Sequence, residues 1–183
     1  MTQTITRSYD SYATASALVE RLKAAGVEDD HISLIAKGED GEAEAQTEGN
    51  APEGAGIGAG VGGAAGLLTG LGIMAIPGVG PVVAAGWLAT TALGAAAGAG
   101  VGGLIGALTG SGVSNEDAQV YAETVRRGGA VVSVKADDDE VATVESVLGG
   151  TTHIDPAIRR GEYQREGWTR FDETAEPYKR PLV

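Results

Sequence analysis

The chain has 183 residues with 25 acidic and 13 basic side chains, which gives a formal net charge of −12. This charge argues against a protein that binds DNA or RNA, because such proteins hold the phosphate backbone with basic side chains. Cysteine is absent, so a disulfide framework, thiolate chemistry and a cysteine-ligated zinc site are excluded. The N-terminal residues lack the apolar core of a signal peptide, and we expect the chain to start in the cytoplasm.

The N-terminal part has the pattern of a strand, a helix and a second strand. The Thr-rich residues 2–8 predict the first strand, and Asp10 is placed to cap a helix over residues 11–25. This helix has an apolar face and ends at Gly26. Residues 31–36 predict the second strand.

The most distinctive feature of the chain is an uncharged, glycine-rich run between Glu53 and Glu116. Two nearly identical stretches in it, residues 58–70 and 98–110, belong to two series with a glycine at every fourth position. These glycines are Gly54, Gly58, Gly62, Gly66 and Gly70, then Gly94, Gly98, Gly102, Gly106 and Gly110. Residues four apart share one helix face, so each series predicts a helix with a stripe free of side chains, which is the small-xxx-small pattern of closely packed helix pairs.

A break with two prolines divides this run. Pro77, Gly78, Gly80 and Pro81 predict a turn, because each proline lacks an N–H donor and restricts the residue before it. We therefore expect residues 54–112 to form an antiparallel glycine-zipper helical hairpin. Its two halves would be roughly 33 Å and roughly 45 Å long, against roughly 30 Å for the hydrocarbon core of a bilayer.

Two placements of the predicted hairpin follow from these lengths. In the first, which we expect, the hairpin is inserted in the inner membrane and the remaining domain, the head, stays in the cytoplasm. The flanks are acidic or neutral, with Glu53 on one side and Glu116 and Asp117 on the other, so the positive-inside rule provides no anchor. The alternative is a soluble cytoplasmic assembly in which the hairpin is buried between copies.

After the run, the strand and helix pattern returns, preceded by one additional helix. Ser114 opens this helix with capping-box spacing, and the helix extends to about Arg127. Residues 130–135 predict a strand. Residues 137–140 then place carboxylates at a helix N-terminus, where the helix dipole favours them. Residues 151–154 predict a short last strand.

The chain thus divides into five segments. They are a first half of the α+β domain (1–37), an acidic linker (38–53), the glycine-zipper hairpin (54–112), a second half of the α+β domain (113–155) and a C-terminal arm (156–183). The two halves match in the order of strand, helix and glycine, and each has a His-Ile pair at its second strand, at His31 and His153. A doubled β-α-β pattern predicts an α+β, ferredoxin-like sandwich with the helical hairpin inserted between its halves.

The C-terminal arm is rich in arginine and aromatic side chains and shows no clear periodicity. A disordered tail is one interpretation. Aromatic side chains next to arginines are, however, typical of interface hot spots. We therefore expect Tyr163, Trp168, Phe171 and Tyr178 to dock on a neighbouring subunit.

The sequence predicts no catalytic, cofactor-binding or metal-binding residue. Gly58-x-Gly60-x-x-Gly63 and its repeat match the dinucleotide fingerprint by letter, but neither follows a predicted strand. His31 and His153 each lie near aspartates, and polar strand ends explain them as well as a metal site does.

Several parts of the chain together resemble the bacterial general stress (heat-induced stress) protein family. They are the opening Thr4–Tyr12, the helix Ala15–Gly26, the pair His31-Ile32, and the hairpin with its Pro77-Gly78 turn. The resemblance implies a non-enzymatic role associated with stress and transfers no site residue, because that family has no established catalytic residues. The acidic linker and the C-terminal arm are not clearly part of the shared pattern.

We therefore expect a non-enzymatic structural protein of the stress response that assembles with copies of itself through glycine-zipper helices at the inner membrane. Its expected partners are its own copies and the lipid bilayer, with no nucleic acid and no cofactor. The alternative is a ferredoxin-like module that senses a small ligand and is anchored by the hairpin. Such a module needs a pocket with converging polar groups, and the sequence shows only scattered ones.

Overall fold

A computed structural model describes residues 2–37, 72–76, 80–88, 103–172, 174–175 and 178. These residues form a five-stranded sheet with helices packed on both of its faces. All neighbouring strands are antiparallel. The prediction of an α+β fold is therefore confirmed.

The strands of the described residues are β1 (Thr2–Tyr9), β2 (Ile32–Lys37), β3 (Gly72–Ile76), β4 (Gly80–Ala85) and β5 (Ala130–Asp137). The helices are α1 (Tyr12–Ala24), α2 (Gly103–Gly110), α3 (Asn115–Arg126), α4 (Val141–Gly149) and α5 (Pro156–Arg165). The strand order across the sheet is β1-β5-β2-β4-β3. β5, from the second half, thus lies between β1 and β2 of the first half, which brings the halves into one sheet.

One face of the sheet is covered by α1 and α4. Ile5 of β1 is opposite Val134 of β5, and Val134 is opposite Ile32 of β2. All three side chains are buried in the cluster that also contains Leu18 of α1 and Leu148 of α4. Cross-strand rows of β-branched side chains of this kind are the unit that stabilises a sheet.

The other face is covered by α2, α3 and the C-terminal arm. Ile35 of β2 and Val131 of β5 contribute to a second buried cluster, together with Leu108 of α2, Tyr121 of α3 and Phe171 of the arm. The sheet is therefore buried on both sides. Its central strands β2 and β5 are accordingly buried along most of their length.

The cap of α1 is Ser11, not the predicted Asp10. Ser11 has extended backbone, and its hydroxyl accepts a hydrogen bond from the Thr14 N–H at 3.2 Å. This is the position from which a side-chain oxygen reaches the third residue of a helix. Asp10 lies one residue too early, and its carboxylate instead pairs with Arg159 at 2.8 Å.

The prediction of a continuous helical hairpin over residues 54–112 is wrong for its centre, because β3 and β4 are strands. Ile76 of β3 is opposite Gly80 of β4, so the chain direction reverses between the strands, as the predicted turn requires. Gly80 and Pro81 themselves belong to β4. Pro77 and Gly78 lie outside the described residues.

Sheet pairing explains why this part of the run is not helical. Val82 and Val83 are β-branched, and such side chains fit a pleated sheet better than a helix. β4 pairs along β2, with Val82 opposite Lys37 and Ala85 opposite Leu34. Because β4 gains this ladder and buries Val82 completely, the tertiary contacts outweigh the helical spacing of the glycines.

The predicted last strand over residues 151–154 is reduced to one bridge between Ser8 and Ile154. The Ile154 N–H donates to the Ser8 carbonyl at 2.7 Å. Asp155 already caps the next helix, so a strand cannot continue beyond Ile154.

Candidate functional site

The structure describes the end of the second glycine series and confirms that it is helical over Gly103–Gly110. Gly106 and Gly110 are exposed on α2, and a Cβ added at either would meet no described atom within 4 Å. The other stripe positions, Gly54, Gly58, Gly62, Gly66, Gly70, Gly94, Gly98 and Gly102, lie outside the described residues. The two described glycines of the stripe are thus not in close contact with the described part of their own chain.

The opposite face of α2 holds the helix on the head. Leu104, Ala107 and Leu108 are buried in the cluster shared with α3. Gly112 follows the end of the helix, and its φ of 96° suits a residue without a side chain. The two faces of α2 therefore differ in kind, since one is packed and the other is bare backbone.

A closely packed turn after β4 fixes the direction of the chain before the second glycine series. The Ser33 hydroxyl donates to the Ala85 carbonyl at 2.9 Å and accepts from the Leu88 N–H at 3.2 Å. Gly86 between them has a φ of 82°, and a Cβ there would lie 2.0 Å from the Ile32 carbonyl oxygen. Only glycine fits this position, so the contact with β2 sets the direction in which the chain continues after β4.

The C-terminal arm begins with a regular helix, which the lack of periodicity did not predict. Asp155 caps α5 by accepting from the Ala157 N–H at 2.8 Å, and Pro156 occupies the first turn. Arg159 pairs with Asp10 at 2.8 Å. Arg160 pairs with the carboxylates of Glu116 and Asp117 at 3.1 and 2.8 Å. These ion pairs tie α5 to the start of α1 and of α3 within one chain.

The C-terminal arm packs on the end of α3, and the centre of this contact is a buried carboxylate. The Glu123 side chain is fully buried, and it accepts from Arg126 at 3.0 and 3.1 Å and from Arg127 at 2.6 Å. Arg127 also donates to Glu166 of the arm. A buried carboxylate is expensive unless it is paired and hydrogen-bonded, so Glu123 and the two arginines form one structural unit.

Arg127 is the point at which this unit meets the arm. Its guanidinium lies 4.1 Å from the centroid of the Tyr163 ring and 5.0 Å from that of the Tyr178 ring. Burial by itself lowers the pKa of Arg127, but the hydrogen bonds and charges of Glu123 and Glu166 outweigh this effect, and the pKa lies above its ordinary value. Arg127 is therefore a permanent cation held against two aromatic faces of the arm.

The four aromatic side chains that we expected on a neighbouring subunit contact their own chain. Tyr163 and Phe171 are buried, and Trp168 packs at the edge of the α2 and α3 cluster. The rings of Tyr163 and Trp168 meet edge to face with centroids 5.8 Å apart. Burial raises the pKa of the Tyr163 hydroxyl, which lies 3.2 Å from the Thr124 hydroxyl. The arm thus docks on the head of its own chain.

The far end of the arm reaches β2. The Lys37 ammonium donates to the Tyr178 carbonyl at 2.8 Å, and Lys37 is the last residue of the strand. The acidic linker begins at the next residue. The arm therefore connects the end of α3 with the point where the chain leaves the sheet.

Sequence reasoning missed Glu123, Arg126 and Arg127. A glutamate on a surface helix is normally solvated, so its residue type gave no indication of burial. The one available signal is spacing, because the arginines follow Glu123 by three and four residues, which places all three on one helix face.

Two tyrosines are buried between the layers. The Tyr9 hydroxyl donates to the Leu148 carbonyl at 2.9 Å, and the Tyr121 hydroxyl donates to the Thr6 carbonyl at 3.3 Å. Burial raises the pKa of Tyr9 and of Tyr121 to about 12 each. Both hydroxyls are therefore neutral donors in the folded head.

The two histidines are not brought together as ligands of one ion in the described residues. His31 lies with Glu28 and Asp30, and ligand atoms of the three are within 4.8 Å of one another. Asp29 is turned away to Lys23 at 2.9 Å. Both carboxylates of the group are exposed, and this arrangement is common at a solvated turn.

None of the helices in the described ranges has both the length and the apolar character needed to cross a membrane. Comparison of the chain with family models, with curated proteins and with solved structures gives no match.

Proposed function

We propose that the chain is a non-enzymatic structural protein that assembles with copies of itself through its two glycine series. The observation that carries this proposal is the bare face of α2, where Gly106 and Gly110 are exposed and a Cβ would meet no described atom within 4 Å. A helix face without side chains allows a second backbone to approach closely. The family resemblance of the sequence supports a role in the stress response as part of the same proposal.

The core of the head is, in this proposal, ferredoxin-like. The support is the position of β5 between β1 and β2, which gives a split β-α-β unit. The bridge from Ile154 to Ser8 lies on the free side of β1, where a fourth ferredoxin-like strand would pair. β3 and β4 then extend the sheet at its other edge.

The connections to the sheet favour a cytoplasmic assembly over a hairpin that spans the inner membrane. β2 ends at Lys37 and β3 begins at Gly72 in the same sheet, so both ends of the segment between them are attached to one head. Crossing a bilayer twice takes about 40 apolar residues, and only residues 54–71 of this segment are uncharged. The second segment, residues 89–102, is shorter still, and the elements on either side of it, β4 and α2, both belong to the head.

The experiment that tests the proposal uses the double variant Gly106→Leu with Gly110→Leu. A Cβ at either position would meet no described atom within 4 Å, so the described part of the head should tolerate the leucines, while close approach of another helix is blocked. Gly161→Leu is the matched control, since Gly161 is a glycine of α5 with open space outside the glycine series. We expect sedimentation velocity to show smaller particles for the double variant and unchanged particles for the control.

An unchanged particle size in the double variant would show that the described end of the stripe is not an assembly surface. Cell fractionation tests the placement separately. We expect the protein in the soluble fraction or released from membranes by a carbonate wash, and retention in the washed membrane pellet would support the inner-membrane hairpin instead.

A further inference from the structure

The two edges of the sheet are protected differently. At the β1 edge, Ile154 forms a bridge to Ser8. At the other edge, β3 pairs with β4 on one side, and no described residue pairs with its second side. An open strand edge is a template for another strand, and proteins usually block it with charged residues or proline. The β3 sequence Gly-Ile-Met-Ala-Ile has neither.

The backbone groups at this open edge can be identified from Pro81. Ala75 is opposite Pro81, and proline has no N–H, so this pair cannot exchange the two hydrogen bonds of a hydrogen-bonded pair. Because the two kinds of pair alternate along an antiparallel ladder, Met74 bonds to β4. Ile73 and Ala75 then direct their N–H and C=O groups away from β4, to the open edge.

We propose that β3 pairs with β3 of a second copy and joins the two sheets into one. The pairing that uses the whole strand is antiparallel and places Met74 opposite Met74 of the second copy. Ile73 of each copy then exchanges hydrogen bonds with Ala75 of the other. This is strand addition between identical edges, with the two-fold symmetry of most homodimers.

Charge and composition favour a second copy as the partner of this edge. The chain has a net charge of −12, so two copies repel over most of their surface, but β3 lies within the run that has no charged residue between Glu53 and Glu116. Residues 54–71, which precede β3, and residues 89–102, which follow β4, are rich in glycine and alanine, which are poor strand formers. Another β3 is the better partner.

The proposal does not rest on the glycine series, and its register gives it a separate test. In the proposed pairing, Met74 forms a non-hydrogen-bonded pair with its copy, with Cα atoms about 4.5 Å apart, which is within the range that a disulfide can bridge. Ile73 is opposite Ala75 of the second copy, so two Ile73 positions lie beyond that range. The chain has no cysteine, so single cysteine variants report on one position each.

We expect Met74→Cys to form a disulfide-linked dimer under mild oxidation, at least about tenfold more than Ile73→Cys, and reductant should reverse it. The same cross-link should form when Gly106→Leu and Gly110→Leu are also present. This result would separate the β3 pairing from assembly through the glycine series. Equal or negligible cross-linking of both cysteine variants would overturn the proposal.

A second variant tests the hydrogen bonds themselves. Ala75→Pro removes the outward N–H and leaves the bonds from β3 to β4 in place, and proline is tolerated where an edge N–H faces outward. Two of the four proposed bonds are lost by symmetry, so the dimer dissociation constant should rise about tenfold or more. Ala75→Val keeps the N–H and is the control.

A circular dichroism spectrum and a melting temperature close to those of Ala75→Val would show that the proline variant still folds. If Ala75→Pro folds and the dimer is unchanged, the outward N–H of Ala75 takes no part in the dimer and the proposal is wrong. If Ala75→Pro does not fold, the cysteine pair alone decides.

Discussion

Glu123 and Glu166 bind the same arginine in different surroundings, and the difference predicts the effect of removing each charge. Glu123 is fully buried and accepts from Arg126 and Arg127. The Glu166 side chain is 59% exposed. Glu123→Gln keeps the shape but removes the buried charge that pairs with both partly buried arginines, which should lower the free energy of unfolding by about 3 kcal/mol. Glu166→Gln should cost less than about 1 kcal/mol.

The assay is urea unfolding followed by tryptophan fluorescence, since Trp168 lies in the docked arm. At an m-value of about 2 kcal/mol/M, Glu123→Gln should lower the midpoint by about 1.5 M, with an unchanged slope. Salt at about 1 M should abolish the small effect of Glu166→Gln, because exposed pairs are screened, and should leave most of the effect of Glu123→Gln. The reasoning is refuted if both variants cost the same, or if Glu123→Gln costs less than about 0.5 kcal/mol.

Three further outcomes follow from the packing. Gly86→Ala should destabilise the head by more than about 3 kcal/mol in urea unfolding, because its Cβ would overlap backbone. Gly112→Ala has a similar φ but no described atom within 4 Å of its Cβ, and it should cost about 1–2 kcal/mol. Deleting residues 156–183 should lower the melting temperature, because it exposes the surface that Tyr163 and Phe171 cover. Stability should also fall as pH rises from about 10 to about 12, because the pKa values of Tyr9 and Tyr121 are raised by burial from 10.0 to about 12 in the folded state.

A specific result would contradict each of these three predictions. Equal costs for the two glycine variants would mean that the close contact at Gly86 is absent. An unchanged melting temperature after the deletion would show that the arm is not docked. Each tyrosine contributes at most about 2.7 kcal/mol to the free energy of unfolding below pH 10. The decrease in this free energy between about pH 10 and about pH 12 should therefore be smaller in Tyr121→Phe. A loss of the same size in that variant would assign the effect to other groups.

Local signals predicted most of the head correctly. Ser114 caps α3 as its spacing indicates, and Gly26, with a φ of 95°, follows α1 as predicted. These elements depend on contacts within a few residues, so the sequence alone contains the information. The Ser11 cap was missed by one residue because both Asp10 and Ser11 are good capping types.

The errors come from contacts between distant residues. β4 is a strand because Val82 pairs with Lys37 of β2. The glycine spacing on both sides of it predicted a helix instead. The docking of the arm depends on Glu123 being buried next to Arg127, which a residue-by-residue pattern does not show. The signal for α5 was present, however, since Asp155 followed by Pro156 is a standard helix start.

The measurement that tests the central claim most directly is sedimentation velocity of the full chain over a range of concentrations, beside the variant Gly62→Leu with Gly102→Leu. Ala64→Leu with Ala96→Leu is the control, because these alanines lie off the glycine stripes. The monomer mass is 18.3 kDa. We predict particles larger than this for the unmodified chain and the control, and smaller particles for the glycine variant. A monomer at every concentration, or equal particle sizes in all three proteins, would contradict assembly through the glycine series.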